Sequence, residues 1–141
     1  MLQLTKHHGL GNDFLVALER DNPNLDPRAE QARVLCDRHR GVGADGLIYG
    51  LAGLDGADVR MVLMNADGSE AEISGNGIRC LGQAWLRATG RSEGEVVVDT
   101  AAGRRALRVV RSDGDETWIR VDMGEIRPGP ELPVDPSELP G

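Results

Sequence analysis

Asn65-Ala-Asp-Gly-Ser-Glu-Ala-Glu-Ile-Ser-Gly-Asn-Gly-Ile-Arg-Cys80 is the stretch around which the rest of the chain is organised. Its polar and glycine residues predict the end of a strand, a turn, and then a glycine-bracketed entry into a helix. Ser74 is a suitable N-cap, because its side-chain oxygen can accept a hydrogen bond from an amide of the first turn. The following Gly75-Asn76-Gly77 leaves those amides open to a small anion, which the positive end of the helix favours.

The composition is that of one globular domain. The chain has 141 residues, of which 40% are hydrophobic and 28% charged, and this is enough to bury a core. A net charge of −7 without basic runs argues against a surface for nucleic acid or an acidic membrane. The sequence shows no signal peptide, lipidation motif or apolar run of membrane-spanning length, so we expect a cytoplasmic protein.

The cysteines and histidines do not point to a metal site. Cys36 and Cys80 each fall inside a predicted helix, and we expect both to be reduced, small, buried hydrophobic residues. Neither the two cysteines nor the three histidines have the spacing of metal ligands. We therefore expect no metal.

The pattern of apolar residues predicts an α+β fold with a curved, mostly antiparallel sheet wrapped around a central helix. The predicted strands are residues 2–6, 14–18, 46–51, 59–64, 95–100, 106–111 and 117–123. Asp26 followed by Pro27 predicts the start of a first helix that ends near Gly41. A second helix over 74–88 is apolar on nearly all sides, which is typical of a buried helix, and Gly90 ends it. Five prolines in residues 124–141 predict a linker.

Three further segments combine glycines with polar residues. They are Lys6-His7-His8-Gly9-Leu10-Gly11-Asn12-Asp13-Phe14, Asp37-Arg38-His39-Arg40-Gly41-Val42-Gly43-Ala44-Asp45-Gly46-Leu47, and Asn65-Ala66-Asp67-Gly68 with the strand before it. Together with the stretch around Ser74, these ordered segments resemble the diaminopimelate epimerase family. The resemblance covers nearly the whole chain, although the chain has only about half the family's usual length.

The resemblance implies an isomerase that uses no metal or organic cofactor. It would convert LL-diaminopimelate to the meso form in lysine and peptidoglycan biosynthesis. The family has two lobes of this α+β fold, with the active site in the cleft between them. Residues 1–123 therefore resemble the N-terminal lobe, and residues 124–141 a linker towards a missing second lobe. We expect the chain alone to have negligible turnover.

The resemblance assigns the catalytic position of this lobe to Ser74, where the family has a cysteine. A serine hydroxyl is a far weaker acid than a thiol and needs a strong neighbouring base, which the adjacent sequence lacks. Cys80 cannot replace it, because six helical residues place it about 9 Å further along the axis. Three explanations remain open: an engineered replacement, a natural variant with altered chemistry, or loss of activity.

The remaining family positions are predicted to bind the substrate. Asn12 and Asn65 match asparagines that bind the distal end of diaminopimelate, and an amide suits a zwitterion because it offers donors and an acceptor. Gly75 and Asn76 match the amides that bind the carboxylate. We interpret the charged loop residues Arg38, His39 and Asp45 as structural, pinning the glycine-rich turn.

Other functions remain open beside the epimerase lobe. Two copies of the chain could rebuild the cleft as a homodimer, because the family's lobes are pseudo-symmetric. Alternatively, the chain could be an amino-acid or carboxylate-binding module that keeps the anion site without catalysis. It could also be a serine-variant isomerase or dehydratase of the same superfamily.

Overall fold

The computed structural model describes residues 2–9, 11–71, 74–91, 94–113 and 116–122. In chain order the elements are β1 (Thr5–Gly9), β2 (Asn12–Leu18), α1 (Ala29–Cys36), β3 (Gly46–Ala52), β4 (Val59–Asn65), β5 (Glu70–Ala71), α2 (Gly75–Ala88), β6 (Glu95–Thr100), β7 (Gly103–Asp113) and β8 (Glu116–Asp122). The predicted linker, residues 124–141, lies outside the described residues. Within the described part, no helix has the length and apolar character needed to cross a membrane.

The strands form one mixed sheet in the order β1-β2-β3-β4-β6-β7-β8, with the short β5 paired to β4. Only β2 with β3 and β4 with β6 pair in parallel among the described strands, and the other pairs are antiparallel. The sheet curls so far that α2 meets both of its end strands. Gln83 of α2 bonds His7 of β1 at 2.6 Å and Thr117 of β8 at 3.2 Å. The predicted α+β fold, with a curved sheet around a central helix, is confirmed.

The helix α2 fills the inside of this curl. Ile78 and Leu81 are fully buried, and Cys80, Ala84 and Leu86 are nearly so, in a cluster with side chains from six strands. Burying one large aliphatic side chain contributes about 1.5–3 kcal/mol, so this helix is the main source of packing energy on the concave face. A second, smaller cluster on the other face packs α1 against β2 and β3. The chain therefore has one central and one covering helix.

The bounds of α1 differ from the predicted ones at both ends. The helix begins at Ala29, because the Asp26 carboxylate pairs with the Arg28 side chain at 3.4 Å and caps no amide. The amide of Arg28 donates instead to the Tyr49 hydroxyl at 3.2 Å. The helix ends at Cys36, since Asp37 is extended and its carboxylate accepts the next free amides. Both differences come from side chains that satisfy the backbone outside the helix.

The first strand also lies further along the chain than its predicted span of residues 2–6. Thr5–Gly9 pairs with the start of β2 in an antiparallel arrangement, so that His8 and Gly9 are strand residues. The pairing of His8 with Asp13 and of Gly9 with Asn12 outweighs the weak strand preference of glycine here.

His7 is a buried imidazole that joins the sheet to α2. Its Nδ1 is hydrogen-bonded to Gln83 Oε1 at 2.6 Å, and its Nε2 is hydrogen-bonded to the Thr5 hydroxyl at 2.7 Å. Burial lowers the pKa of His7; the Gln83 hydrogen bond opposes this effect, and the charges of Arg87 and His8 add to it. The folded chain therefore favours the neutral form.

We expect the free energy of unfolding to fall as the pH drops below about 6.5, by up to about 1.4 kcal/mol per pH unit. The unfolded chain binds the proton more readily than the folded one, so this stability is present above the unfolded-state pKa and lost as pH falls towards the folded-state pKa. Urea denaturation at pH 7.5 and 5.5 measures the difference. His7→Gln should reduce it, whereas His39→Gln in an exposed loop should not; equal pH dependence in all three proteins would contradict the assignment.

Candidate functional site

The start of α2 has the geometry predicted for it. Ser74 is the N-cap, with extended backbone angles (φ −139°, ψ 128°), and its Oγ accepts a hydrogen bond from the Gly77 amide at 3.1 Å. A Cβ at position 77 would lie 3.3 Å from Ser74 Cβ, which is a tight contact, so glycine at this position eases the close approach. Gly75 and Asn76 are only partly buried. Their amides lie in the first turn, at the positive end of the helix, where an anion is favoured.

Asn12 and Asn76 meet at this helix start although they are 64 residues apart in sequence. The Asn76 side chain donates from Nδ2 to Asn12 Oδ1 at 2.9 Å, and Asn12 Nδ2 donates to Asp45 Oδ2 at 3.3 Å. Asn12 is the first residue of β2, and Asn76 lies in the first turn of α2. Two sequence-predicted positions are thus in direct contact beside Ser74.

Asn65 lies at the same end of the sheet. It is the last residue of β4 and stands opposite Gly46, which in turn stands opposite Phe14 of β2. Its side chain donates to the Ser69 hydroxyl at 3.0 Å, and Ser69 donates to Asp67 at 2.6 Å. Among the described residues, the side chain of Asn65 is hydrogen-bonded to this turn and not to Asn12 or Asn76. The predicted site residues therefore lie side by side at one end of the sheet.

A cluster of charged side chains contacts Asn12 through Asp45. Arg38 donates to both carboxylate oxygens of Asp13, at 2.8 and 3.2 Å, and to Asp45 Oδ1 at 3.0 Å. Each aspartate accepts the other's backbone amide at 3.0 Å, and Lys6 lies 3.5 Å from Asp13. The hydrogen bond from Arg38 is the main cause that holds the pKa of Asp13 well below its usual range. The structural role predicted for Arg38 and Asp45 is therefore a network of hydrogen bonds and ion pairs that is centred on Asp13.

Two features of this arrangement were not predicted from the sequence. Asp13 is the centre of the charge cluster, and the side chain of Asn76, considered only for its backbone amide, bonds Asn12. No periodicity or spacing marks either contact, because each joins segments far apart in the chain. His39 was predicted to belong to this cluster. Its backbone amide instead donates to the Asp37 carboxylate, and its ring is exposed.

The cysteines are placed as predicted, in the core. Cys36 is 2% and Cys80 is 4% exposed. Burial raises the pKa of the Cys80 thiol to about 12, with a further contribution from the charge of Asp13 that outweighs the opposite effect of Arg79. A thiol in this state is a poor base at neutral pH. Among the described residues, no three histidine, cysteine, aspartate or glutamate side chains converge as metal ligands.

This arrangement suits a small zwitterion or carboxylate. The α2 amides can take an anion, the Ser74 hydroxyl keeps its proton free to donate, and the asparagine amides add polar contacts. Within the described residues the one hydrogen bond to Ser74 Oγ comes from the Gly77 amide, and no titratable side chain among them bonds the hydroxyl. The geometry by itself supports binding more directly than proton transfer.

Comparison with known proteins identifies relatives of the chain. The family description Diaminopimelate epimerase matches residues 4–128. A protein of that name from Thermosynechococcus vestitus is 48% identical over 129 residues, which are 89% of this chain and 44% of the relative. The chloroplastic diaminopimelate epimerase of Oryza sativa is 40% identical over 138 residues, covering 94% of this chain and 37% of that protein. The chain thus spans less than half the length of these curated relatives.

The fold also has counterparts among solved structures. A probable proline racemase from Agrobacterium radiobacter, crystallised with bound carbonate, superposes with a TM-score of 0.63 at 20% identity. The superposition covers 86% of this chain and 41% of that one. At this identity the likeness concerns the fold alone, and it agrees with the curled sheet around α2.

Proposed function

Because the chain belongs to the diaminopimelate epimerase family, we propose that it forms one half of the catalytic cleft of a cofactor-independent amino-acid epimerase. The substrate would be LL-diaminopimelate and the product its meso form, as the name of the relatives suggests. The observation that carries the proposal is the Asn76–Asn12 hydrogen bond of 2.9 Å beside the Ser74-capped helix start. This contact supports the proposal because it joins Asn12 and Asn76, which the sequence resemblance assigns to substrate binding, next to Ser74.

The chemistry of the proposed reaction explains why backbone amides at a helix start are useful here. The α-proton of an amino acid is a very weak acid, because the carbanion forms next to a carboxylate that is already negative. Backbone amides at a helix start can hold that carboxylate and stabilise the growing charge electrostatically. Gly75 and Asn76 would supply these amides, and Asn12 and Asn65 would bind the distal end of the substrate.

Inversion at the α-carbon needs a proton-transfer group on each face of the substrate. This chain would supply one face, through position 74, and a second lobe would supply the other. A homodimer is the less favoured source of that lobe, since it would place Ser74 on both faces. The length of the relatives, more than twice the matched region, supports a separate second lobe. We place the protein in the cytoplasm, where free thiols such as Cys36 and Cys80 stay reduced.

The test is exchange of the α-proton of diaminopimelate in deuterated water, followed by NMR. Because Ser74 is a weak acid, we expect it to transfer no proton on its own face of the substrate. A mixture of the chain and a second-lobe protein from a relative should therefore exchange the α-proton from the other face only. The result would be deuterium incorporation without inversion. The chain alone and the second lobe alone are the controls and should show none. Absence of exchange in every combination would refute the epimerase proposal.

A second candidate function is a binding module for amino acids or carboxylates. It is favoured by the engagement of Ser74 Oγ as a helix cap for Gly77, without a described base nearby. Calorimetric binding of diaminopimelate by the chain, with no proton exchange even when the second lobe is present, would favour this function over the epimerase.

A further inference from the structure

The hydrogen bonds between Asn76, Asn12 and Asp45 run in one direction. Asn76 donates its amide nitrogen to the Asn12 carbonyl oxygen, and Asn12 donates its own nitrogen to Asp45 Oδ2. An amide can be turned over to exchange its donor and acceptor ends, so this order needs a cause. The cause must be a group at one end of this series of hydrogen bonds that cannot exchange its donor and acceptor roles.

Asp45 is such an end. Three donors converge on its carboxylate: Asn12 Nδ2 at 3.3 Å, the Asp13 amide at 3.0 Å and the Arg38 guanidinium at 3.0 Å. An ionised carboxylate only accepts hydrogen bonds, so Asn12 can approach it only with its NH₂ group. The Asn12 oxygen is then directed to Asn76, which must offer its NH₂ group in turn.

Asp45 is also held firmly in place. Its backbone amide donates to Asp13 Oδ1 and its carbonyl oxygen accepts from the Ala66 amide at 3.1 Å. Arg38 spans both aspartates and neutralises part of their charge. Rigid support of this kind matters, because a binding group displaced by about 1 Å can cost two orders of magnitude in rate.

We propose that Asp45 is a positioning residue that sets the orientation of the Asn12 amide and, through it, of the Asn76 side chain at the start of α2. The site would then present one pattern of donors and acceptors to its ligand. Among the described residues, no hydrogen bond joins Asp45 directly to α2, so it acts on the helix start through Asn12. The identity of that ligand, diaminopimelate, rests on the proposed function, whereas the orientation of the amides does not.

The experiment compares the side-chain NH₂ resonances of Asn12 and Asn76 by ¹H–¹⁵N NMR on the 141-residue chain, without ligand. In Asp45→Ala we expect the Asn76 resonances to move, although Asn76 does not contact Asp45. Asp45→Asn should have a smaller effect than alanine, because its side-chain oxygen can still accept from Asn12 and the Asp13 amide while its NH₂ group faces Arg38. Asp26→Ala, which removes an aspartate paired with an arginine elsewhere on the surface, is the matched control.

The path through Asn12 has its own test. Asn12→Ala should move the Asn76 resonances, and in that background Asp45→Ala should cause no further change. Asn12 is exposed, so this variant keeps the test available if Asp45→Ala does not fold. Unchanged Asn76 resonances in Asp45→Ala and in Asn12→Ala would overturn the proposal.

Titration with LL-diaminopimelate then separates the inference from the proposed function. We expect Asp45→Ala to bind about ten-fold more weakly than the parent chain, equivalent to loss of one well-placed hydrogen bond. Equal affinities of the parent and the variant would show that the orientation has no role in binding and would overturn that role. If the parent chain itself does not bind diaminopimelate, the proposed function fails, and the amide resonances alone decide the orientation.

Discussion

Ser74→Cys is expected to turn deuterium exchange without inversion into full epimerisation when the second lobe is present, with a gain in turnover of at least about 10²-fold. A thiol has an ordinary pKa of about 8.5, and a helix start lowers the pKa further, so a cysteine at position 74 can both give and take a proton near neutrality. Ser74 already stands at the N-cap of α2, where this field acts. The substitution replaces one oxygen by sulfur and keeps the cap position.

The measurement is the rate of conversion of LL-diaminopimelate to the meso form, with α-deuterium content followed in parallel. Ser74→Ala is the control, since it removes the hydroxyl without supplying a thiol, and we expect no gain from it. Alkylation should modify the new cysteine and spare Cys36 and Cys80, which are buried. Equal epimerisation by the serine and cysteine proteins would show that the group at position 74 is not the proton carrier.

Leu81→Ala is expected to lower the free energy of unfolding by about 2–5 kcal/mol, in the upper part of that range. Leu81 is fully buried at the middle of α2. It packs against β3 at Gly50, where an added Cβ would lie 2.9 Å from Leu81 Cδ1. Because that facing position has no side chain that could move into the space, the cavity left by alanine cannot easily collapse.

Leu54→Ala is the matched control for this prediction, because it deletes the same atoms from a side chain that is 63% exposed in a loop. We expect its cost to stay within about 0.5 kcal/mol. Urea denaturation of the two variants and the parent, at one pH, measures both values. Similar losses in both variants would contradict the central position of α2 in the core.

Local sequence chemistry was sufficient to predict the elements whose ends it controls. The Ser74 cap and the left-handed Gly90 at φ 71° bracket α2, and the strand Glu95–Thr100 has its predicted bounds. Caps and turns depend on atoms within a few residues, so their signals are present in the sequence itself. Signals of the same kind predicted a wrong start for α1, because the hydroxyl of Tyr49, 21 residues away, accepts the hydrogen bond of the Arg28 amide.

The sequence by itself therefore determined the curved α+β lobe and its buried central helix, and it predicted that Asn12, Asn65, Ser74 and Asn76 belong to one site. Only the tertiary structure decided which of these residues touch. The parallel pairing of β2 with β3 brings Asn12 to Asp45, and the curl of the sheet brings Asn12 to Asn76. Such contacts depend on distances between segments that are far apart in the chain, and no local preference of a residue encodes them.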